Sequence, residues 1–337
     1  MTTQRFPLHR LPDDLRSEVL KTMDLHEIIA YSFVSKKAYS MVKSLRIPIG
    51  DVETTLKASP EIKISIGLMS LNYELKIYEN DRRRMELNKV PVNVKVELKR
   101  SSILDPETST MSNQGKNMGE WIQHLCSIFQ HVMRLHIEFL IGDLWRLDIE
   151  TLLNTFPTPR SYSIVCDENE SNKYNIRYAR NVFKAFPDVQ FILLFDVPFD
   201  GRLSFQHFGK VNRKVLGLYF VPNLKLEDLL TLNVERIHQY DYQWSLRDLN
   251  RFFKLWMKGS NPKLKKYELF AHEMGISWAD QWNVLVKGLQ AEEVVEAGHT
   301  DENRVKKKFR IRKHRVGAEI EVEWTATTME VKFNTLN

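Results

Sequence analysis

The feature that most constrains the fold is a repeated alternation of helix-like and strand-like segments, which we place at residues 121–275. In each repeat an amphipathic stretch with apolar residues three and four apart is followed by a short apolar strand. The strands are centred near residues 137, 163, 192, 217, 237 and 267, which puts them 20 to 30 residues apart. This loose period predicts an irregular leucine-rich-repeat-like α/β solenoid, in which each unit buries its apolar face against its neighbours. The strict leucine and asparagine pattern is absent, so an ordinary doubly wound sheet is the main alternative.

Residues on either side of this region alternate between apolar and polar with a period of two, which is typical of strands with one buried face. Residues 47–104 predict a small antiparallel sheet, and residues 105–119 are polar and predict a loop. Residues 276–337 predict a helix followed by three antiparallel strands, at residues 305–314, 318–324 and 329–333. We expect these strands to close the end of the solenoid and to leave no bare edge.

Residues 11–44 predict three short helices. Pro12 suits the first turn of a helix, Asp24 and Glu27 are spaced as a capping box for the second, and Ser35 can cap the third. These helices carry more apolar side chains than about 35 residues can bury among themselves. The surplus must contact the rest of the chain, as in a helical cap on the following domain, or a partner protein.

The same segment resembles an F-box. The resemblance rests on Leu11-Pro12, on the spacing of Leu15, Val19 and Met23, on the helix start at residues 24–29 and on Phe33-Val34-Ser35-Lys36. Two positions depart from the family pattern. Phe33 stands where a smaller or aliphatic residue is common, and Tyr39 stands where many members carry tryptophan.

The resemblance implies a three-helix module, at residues 5–46, that docks on the Skp adaptor of a cullin-based ubiquitin ligase. In such a module some apolar side chains form an internal core and others fill the groove of the adaptor. The residues that the resemblance assigns to this role are Leu11, Pro12, Leu15, Val19, Leu20, Ile28, Ile29 and Val34.

A second resemblance covers about residues 195–270. Residues 245–258 form the clearest helix of the chain, with Ser245 and Asp248 as a capping box and Gly259 where a left-handed cap is wanted. This stretch looks like the F-box-associated domain, type 2, of the large nematode F-box family. The residues that recur in that family in this order are the serine, Asp248-Leu249-Asn250, Trp256, Gly259 and Pro262.

Motifs for catalysis or for a cofactor are not found in the sequence. It has no P-loop, no dinucleotide-binding fingerprint and no nucleophile elbow. His272-Glu273 begins like a zinc-protease helix, but no histidine follows at the fourth position. We interpret His124, His131 and His136 as satisfied histidines and Cys126 as a small buried hydrophobe. We therefore predict no enzymatic activity, no cofactor and no metal.

The net charge of +6 is concentrated near the C-terminus, because residues 304–337 carry nine Lys or Arg and four Asp or Glu. The run at residues 304–315 alternates basic and apolar side chains and predicts a strand with a basic solvent face. Contact with an acidic substrate surface, or an import signal read by a receptor, is the functional alternative for this run. The two cysteines favour a reducing compartment, and no apolar run is long enough to span a membrane. We expect a cytoplasmic or nuclear protein, or one found in both places.

Aromatic residues crowd one part of the chain, at Tyr240, Tyr242 and Trp244. Core packing explains most of them, but exposed members would be anchors for a bound target protein. Together these patterns predict a substrate-recognition adaptor of an SCF-type ubiquitin ligase, with the F-box on the Skp adaptor and the C-terminal region on an unknown target. A repeat-type interaction scaffold outside ubiquitin ligases is one alternative, and it would pack the N-terminal helices inward. A basic-strand nucleic-acid binder is the other, and we disfavour it.

Overall fold

The computed structural model describes residues 8–57, 59–76, 90–100, 107–129, 134–141, 148–166, 172–198, 213–240, 244–272, 282–294, 305–313, 316–325 and 328–336. The chain divides into two compact units. Unit 1 comprises residues 1–138 and 144–159, and unit 2 comprises residues 139–143 and 160–337. Each unit contains both helices and strands, so the predicted mixed α/β class is confirmed.

Unit 1 begins with a single 3-10 turn at Leu8–Arg10, followed by α1 (Asp13–Lys21), α2 (Leu25–Ser32) and α3 (Lys36–Ser44). The predicted start signals are present. The Asp24 amide donates to Glu27 Oε2 at 2.9 Å in the capping box of α2, and Ser35 Oγ accepts from the Ala38 amide at 3.1 Å at the start of α3. The three predicted helices are therefore confirmed.

An antiparallel sheet follows, and its strands pair in chain order. The predicted sheet supplies four of them, and alternate residues such as Ile62 and Ile64 are fully buried. The fifth strand, β5, lies inside residues 105–119, where the prediction of a loop is wrong. The side chains of β5 are mostly exposed, so its sequence has no alternation of apolar and polar residues that would predict a strand. Its strand conformation comes from pairing with β4. The strands are β1 (Asp51–Leu56), β2 (Glu61–Ile66), β3 (Met69–Lys76), β4 (Asn93–Arg100) and β5 (Glu107–Ser112).

The described part of unit 1 contains two more helices, α4 (Met118–Ile128) and α5 (Ile149–Thr155). They approach closely, because a Cβ atom placed on Gly119 would lie 2.9 Å from the carbonyl oxygen of Thr155. Only glycine permits this approach without a shift of backbone. Between the two helices runs β6 (Arg134–Ile141), which belongs to unit 1 as far as Glu138 and to unit 2 from Phe139 onward.

Unit 2 is built on five parallel strands that also pair in chain order. The strands are β7 (Ser161–Cys166), β8 (Phe191–Phe195), β9 (Arg213–Tyr219), β10 (Val234–Tyr240) and β11 (Lys266–His272). Among the residues that the structure describes, three helices lie between these strands in the chain, α6 (Asn172–Ala185), α7 (Leu226–Leu230) and α8 (Leu246–Met257). The sequence-predicted alternation of helix and strand is therefore present in the described part of this region.

The register of these strands defines a buried face. Tyr162, Ile192, Leu216, Ile237 and Tyr267 are paired neighbours, and each is fully buried. The Phe183 ring of α6 lies 6.4 Å from the Tyr162 ring, and the Phe252 ring of α8 lies 5.1 Å from the Tyr267 ring, so both helices cover this same face. A doubly wound sheet has helices on both faces and a reversal of strand order, so that alternative is disfavoured. The leucine-rich-repeat description remains a prediction.

The C-terminal part of unit 2 contains α9 (Trp282–Val286), β12 (Glu292–Glu293), β13 (Val305–Lys313), β14 (Val316–Trp324) and β15 (Thr328–Leu336). The three long strands are antiparallel, as predicted, and β15 pairs with β11. In the described part of the chain this sheet is not closed, because it ends on the two-residue β12 beside β13. The expectation that no bare edge would remain is therefore wrong for these residues.

Candidate functional site

The apolar residues assigned to the adaptor contact divide into buried and exposed members. Leu20, Ile28 and Ile29 are at most 6% exposed and belong to the core of unit 1. Leu11 and Val19 are partly exposed, and Pro12 is exposed. Leu15 is 51% exposed on α1, and Val34 is 70% exposed in the turn before α3. The helices therefore keep apolar side chains on the surface of the described chain after their own core is formed.

The N-terminal helices are anchored to α4 by an aromatic cluster within unit 1, which we call the anchor cluster: Phe33, Tyr39, Trp121 and His124. The Phe33 ring stacks on His124 at 3.9 Å and lies 4.4 Å from the Trp121 ring. Tyr39 lies 5.3 Å from His124. Phe33 and Tyr39 are the two positions that depart from the F-box pattern, and both contact α4. Their identities therefore fit this chain's own packing.

A hydrogen bond fixes the histidine of the anchor cluster. Ser32 Oγ donates to the Ile29 carbonyl at 2.6 Å, so its contact of 2.7 Å with His124 Nε2 requires that the ring nitrogen donate. Burial, with a smaller contribution from the positive charge of Lys116, lowers the pKa of His124 from 6.5 to about 4. The ring is therefore neutral at physiological pH. It serves packing here, as the sequence interpretation proposed.

Unit 2 carries a row of four aromatic side chains on the face opposite its buried residues, which we call the aromatic row: Phe195, Tyr219, Tyr240 and Phe270. They are paired neighbours on β8, β9, β10 and β11. Successive ring centroids are 4.4, 6.2 and 5.2 Å apart, and the ring planes are within 22° of parallel. Each ring is partly exposed. Burial raises the pKa of the Tyr219 hydroxyl, so it stays a hydrogen-bond donor at neutral pH.

Phe220 extends this exposed aromatic surface. It follows β9 directly, its ring meets Tyr240 edge-on at 5.6 Å, and it is 37% exposed. Its φ angle of +52° lies in the left-handed region, which is rare for a bulky side chain and costs about 1–2 kcal/mol. An aromatic side chain is thus held on the surface in an unfavourable backbone conformation. Such outliers are concentrated at functional sites.

Charged side chains lie next to the aromatic row on the same face. Glu268 accepts from Lys266 Nζ at 2.5 Å and lies 2.5 Å from His238 Nδ1. Burial alone would raise the pKa of Glu268, but the Lys266 hydrogen bond and the His238 interaction hold it below its usual value. On β15, the residue paired with Phe270 at the end of the aromatic row is Glu330. The surface therefore combines aromatic rings with neutralised charges.

The predicted target residues have different positions. Tyr240 is at the centre of the aromatic row, whereas Trp244 is only 6% exposed and packs inside unit 2, so it is not a surface anchor. Tyr242 lies outside the described residues. The aromatic row as a set was missed at the sequence level, because its members come from four strands and only their register brings them together.

The basic strand β13 is neutralised by acidic neighbours. Glu319 of β14 pairs with Lys308 at 3.0 Å and Arg310 at 2.8 Å, and these hydrogen bonds lower its pKa. Lys306 pairs with Glu321 at 3.4 Å, on the same strand pair. On the other face of β13, Lys307 lies 3.8 Å above the Trp282 ring. The strand with a basic solvent face is confirmed for residues 305–313, but most of its basic side chains form ion pairs with glutamates of the same sheet.

A metal-binding cluster is not assembled in the described part of the chain. No group of three or more His, Cys, Asp or Glu side chains there could hold a metal ion. Burial raises the pKa of Cys126 to about 11 and that of Cys166 to about 12, so both thiols are protonated at neutral pH. His131 and the Glu273 position lie outside the described residues. None of the described helices is both long and apolar enough to cross a membrane.

Comparisons with known proteins match two separate parts of the chain. Residues 8–49 match the F-box domain family, and residues 204–269 match the family described as F-box associated. The chain is 22% identical over 270 residues to an F-box associated domain-containing protein, sdz-33 of Caenorhabditis elegans, and the match covers 79% of each chain. No solved structure matches the chain significantly.

The chain therefore matches an F-box model and, further along, an F-box associated model. The recurrent residues of the F-box associated domain have structural roles here. Asn250 donates to the carbonyls of Leu285 and Lys287 at 2.7 and 3.0 Å, which ties α8 to the α9 region. Trp256 packs edge-on against Phe333 at 4.9 Å, and Gly259 takes a φ of +114° at the end of α8. These family positions therefore hold α8 against the sheet, and the aromatic row lies on the opposite face.

Proposed function

We propose that this chain is a substrate-recognition adaptor of an SCF-type ubiquitin ligase. Its F-box would bind the Skp adaptor, and its F-box associated domain would bind a target protein. The observation that carries the proposal is the exposure of Leu15 and Val34 within the F-box match. A scaffold that packs these helices inward, which is the first alternative, is disfavoured by the same observation. The paired charges of β13 argue against the nucleic-acid alternative.

In this role the chain supplies no reacting groups. The cullin complex brings a charged ubiquitin-conjugating enzyme close to the bound target, and proximity raises the effective concentration of target lysines. We propose the cytoplasm, the nucleus or both as the place of action, because the two free cysteines suit a reducing compartment. We further infer that β7 to β11 and their helices form a solenoid of the leucine-rich-repeat type, which the chain-order pairing supports.

The adaptor contact is tested by titrating a purified Skp-type adaptor into the full chain. We expect Leu15→Asp to abolish binding, because a charge would replace an exposed leucine at the contact. Leu153→Asp is the matched control, since Leu153 is 55% exposed on α5, outside the F-box. An adaptor that fails to bind the parent chain, or that binds Leu15→Asp as it binds the parent, would refute the proposal.

The target contact is proposed on the aromatic row. Tyr219 and Tyr240 lie inside the F-box associated match, and stacked, partly exposed tyrosines are the side chains that dominate interface hot spots. In affinity capture with the full chain, the double variant Tyr219→Ser/Tyr240→Ser should lose bound proteins that Leu15→Asp retains. The proteins that only the double variant loses should be ubiquitinated by a reconstituted ligase that contains the parent chain. Identical captured sets for the two variants would show that the target binds elsewhere.

A further inference from the structure

An open apolar pocket of about 340 Å³ lies within unit 1, where the F-box helices meet the antiparallel sheet. We call it the corner pocket. The F-box helices form one wall and the sheet forms the other. The residues that matter for its chemistry are Met23, Leu25 and Ile28 on the helical wall and Ile66, Met69 and Leu98 on the sheet wall.

The corner pocket is open to solvent. Met69 is 39% exposed, and Met23, Leu25 and Ile66 are partly exposed, whereas Ile28 and Leu98 form its buried floor. An exposed group of apolar side chains of this kind is disfavoured in water unless it is covered by a partner. The pocket therefore has the character of an interaction site.

The charged residues at its rim do not call for a charged occupant. Lys21 Nζ pairs with Glu18 at 2.8 Å, and Asp24 takes part in the capping box of α2. Both charges are thus used within the F-box helices. The remaining lining is aliphatic and thioether, which accommodates apolar side chains of varied shape.

The corner pocket lies at the C-terminal end of α1, where Lys21 and Met23 line it. Leu15 and Val19 are four residues apart and form an exposed stripe on one side of α1, and Met23 follows two residues after the helix ends. Leu15 is exposed at the start of this stripe, and Met23 lines the pocket beyond its end. A partner that lies along α1 and covers Leu15 therefore meets the pocket at the end of the helix.

We propose that the contact with the Skp adaptor continues from the α1 stripe into the corner pocket, which takes apolar side chains of that adaptor. This inference rests on the proposed function. It adds a second wall, supplied by β2, β3 and β4, to a contact otherwise made by the F-box helices. The sheet of unit 1 would then set the affinity and the choice of adaptor for this chain.

The test is isothermal titration of the purified Skp-type adaptor into full-length variants. Met69→Asp should weaken binding at least tenfold, which corresponds to about 1.4 kcal/mol, because a carboxylate would be buried in an apolar contact. Leu68→Asp is the matched control. Leu68 is adjacent, is 80% exposed and does not line the pocket, so its binding should stay within twofold of the parent.

A second variant, Ile66→Ser, guards against misfolding by Met69→Asp and should weaken binding while the circular dichroism spectrum is unchanged. The inference is overturned if both pocket variants bind as the parent does while Leu15→Asp loses binding. It is also overturned if Leu68→Asp weakens binding as much as Met69→Asp. Loss of the proposed function is a separate result, in which the parent itself fails to bind the adaptor.

Discussion

Acidification should weaken unit 1 through His124, the histidine of the anchor cluster. Its ring stacks on Phe33, donates to Ser32 and has a pKa lowered by burial to about 4. Protonation at Nδ1 leaves the Ser32 hydrogen bond in place. The cost of protonation therefore comes from the loss of hydration of the charged imidazolium on burial and, to a smaller extent, from the positive charge of Lys116.

The sign and size follow from proton linkage. In the unfolded chain the histidine has a pKa near 6.5, so between about pH 6.5 and pH 4 the unfolded state binds more protons. The stabilisation from neutral His124 is thus complete above pH 6.5 and is lost as the pH falls toward 4. Without screening the loss at pH 4.5 would be about 2.6 kcal/mol. Because the ring is only partly buried, we discount this by about half, to roughly 1.3 kcal/mol.

The assay compares urea unfolding of the parent and of His124→Phe at pH 7.5 and pH 4.5. Phenylalanine keeps an aromatic ring but cannot titrate, and other groups such as His136 titrate equally in both proteins. The parent should lose roughly 1.3 kcal/mol more than the variant over this pH range. Equal losses, within about 0.3 kcal/mol, would refute the assignment of a buried neutral imidazole to this cluster.

Two further predictions concern unit 2. Asn250→Ala should cost about 1–3 kcal/mol of stability, because it removes the amide that donates hydrogen bonds to the carbonyls of Leu285 and Lys287. Thermal unfolding measures this loss, with Asn283→Ala, at an exposed asparagine, as the control. Equal melting temperatures for Asn250→Ala and Asn283→Ala would contradict a stabilising role of the two Asn250 hydrogen bonds. Gly217→Ala would place a Cβ atom 2.6 Å from Leu193 Cδ2 and 2.7 Å from Tyr219 Cε2, so the Tyr219 ring must move. We expect a changed near-ultraviolet circular dichroism spectrum and a cost of about 1–2 kcal/mol, and an unchanged spectrum would show that the ring does not lie over this glycine.

Sequence signals predicted local structure correctly where both interacting residues lie in the same short segment. The capping pairs Asp24 with Glu27 and Ser245 with Asp248 are present as predicted, because both partners lie within one helical turn. The strand β5 shows the opposite case. Its residues, ETSTMS, are almost all exposed and carry no apolar alternation, so only the edge of β4 makes them a strand.

Burial of individual aromatic residues depended on contacts that the sequence does not state. Trp244 and Tyr240 are four residues apart, yet one is buried and the other is partly exposed on the aromatic row. Phe33 could be recognised as a departure from the F-box pattern, but its reason is a ring on α4 that is almost 90 residues further along the chain. The one clue available was the departure itself.

The sequence by itself determined the helix starts, the alternation of helix and strand, the two family resemblances and the absence of familiar catalytic motifs. These features depend on residue type and on spacing within about one helix or strand, so they can be recognised from the sequence alone. The tertiary structure decided which apolar residues of the F-box stay exposed, and it assembled the anchor cluster, the corner pocket and the aromatic row. Each of these joins residues from elements far apart in the chain, and strand register and helix packing alone set the distances between them.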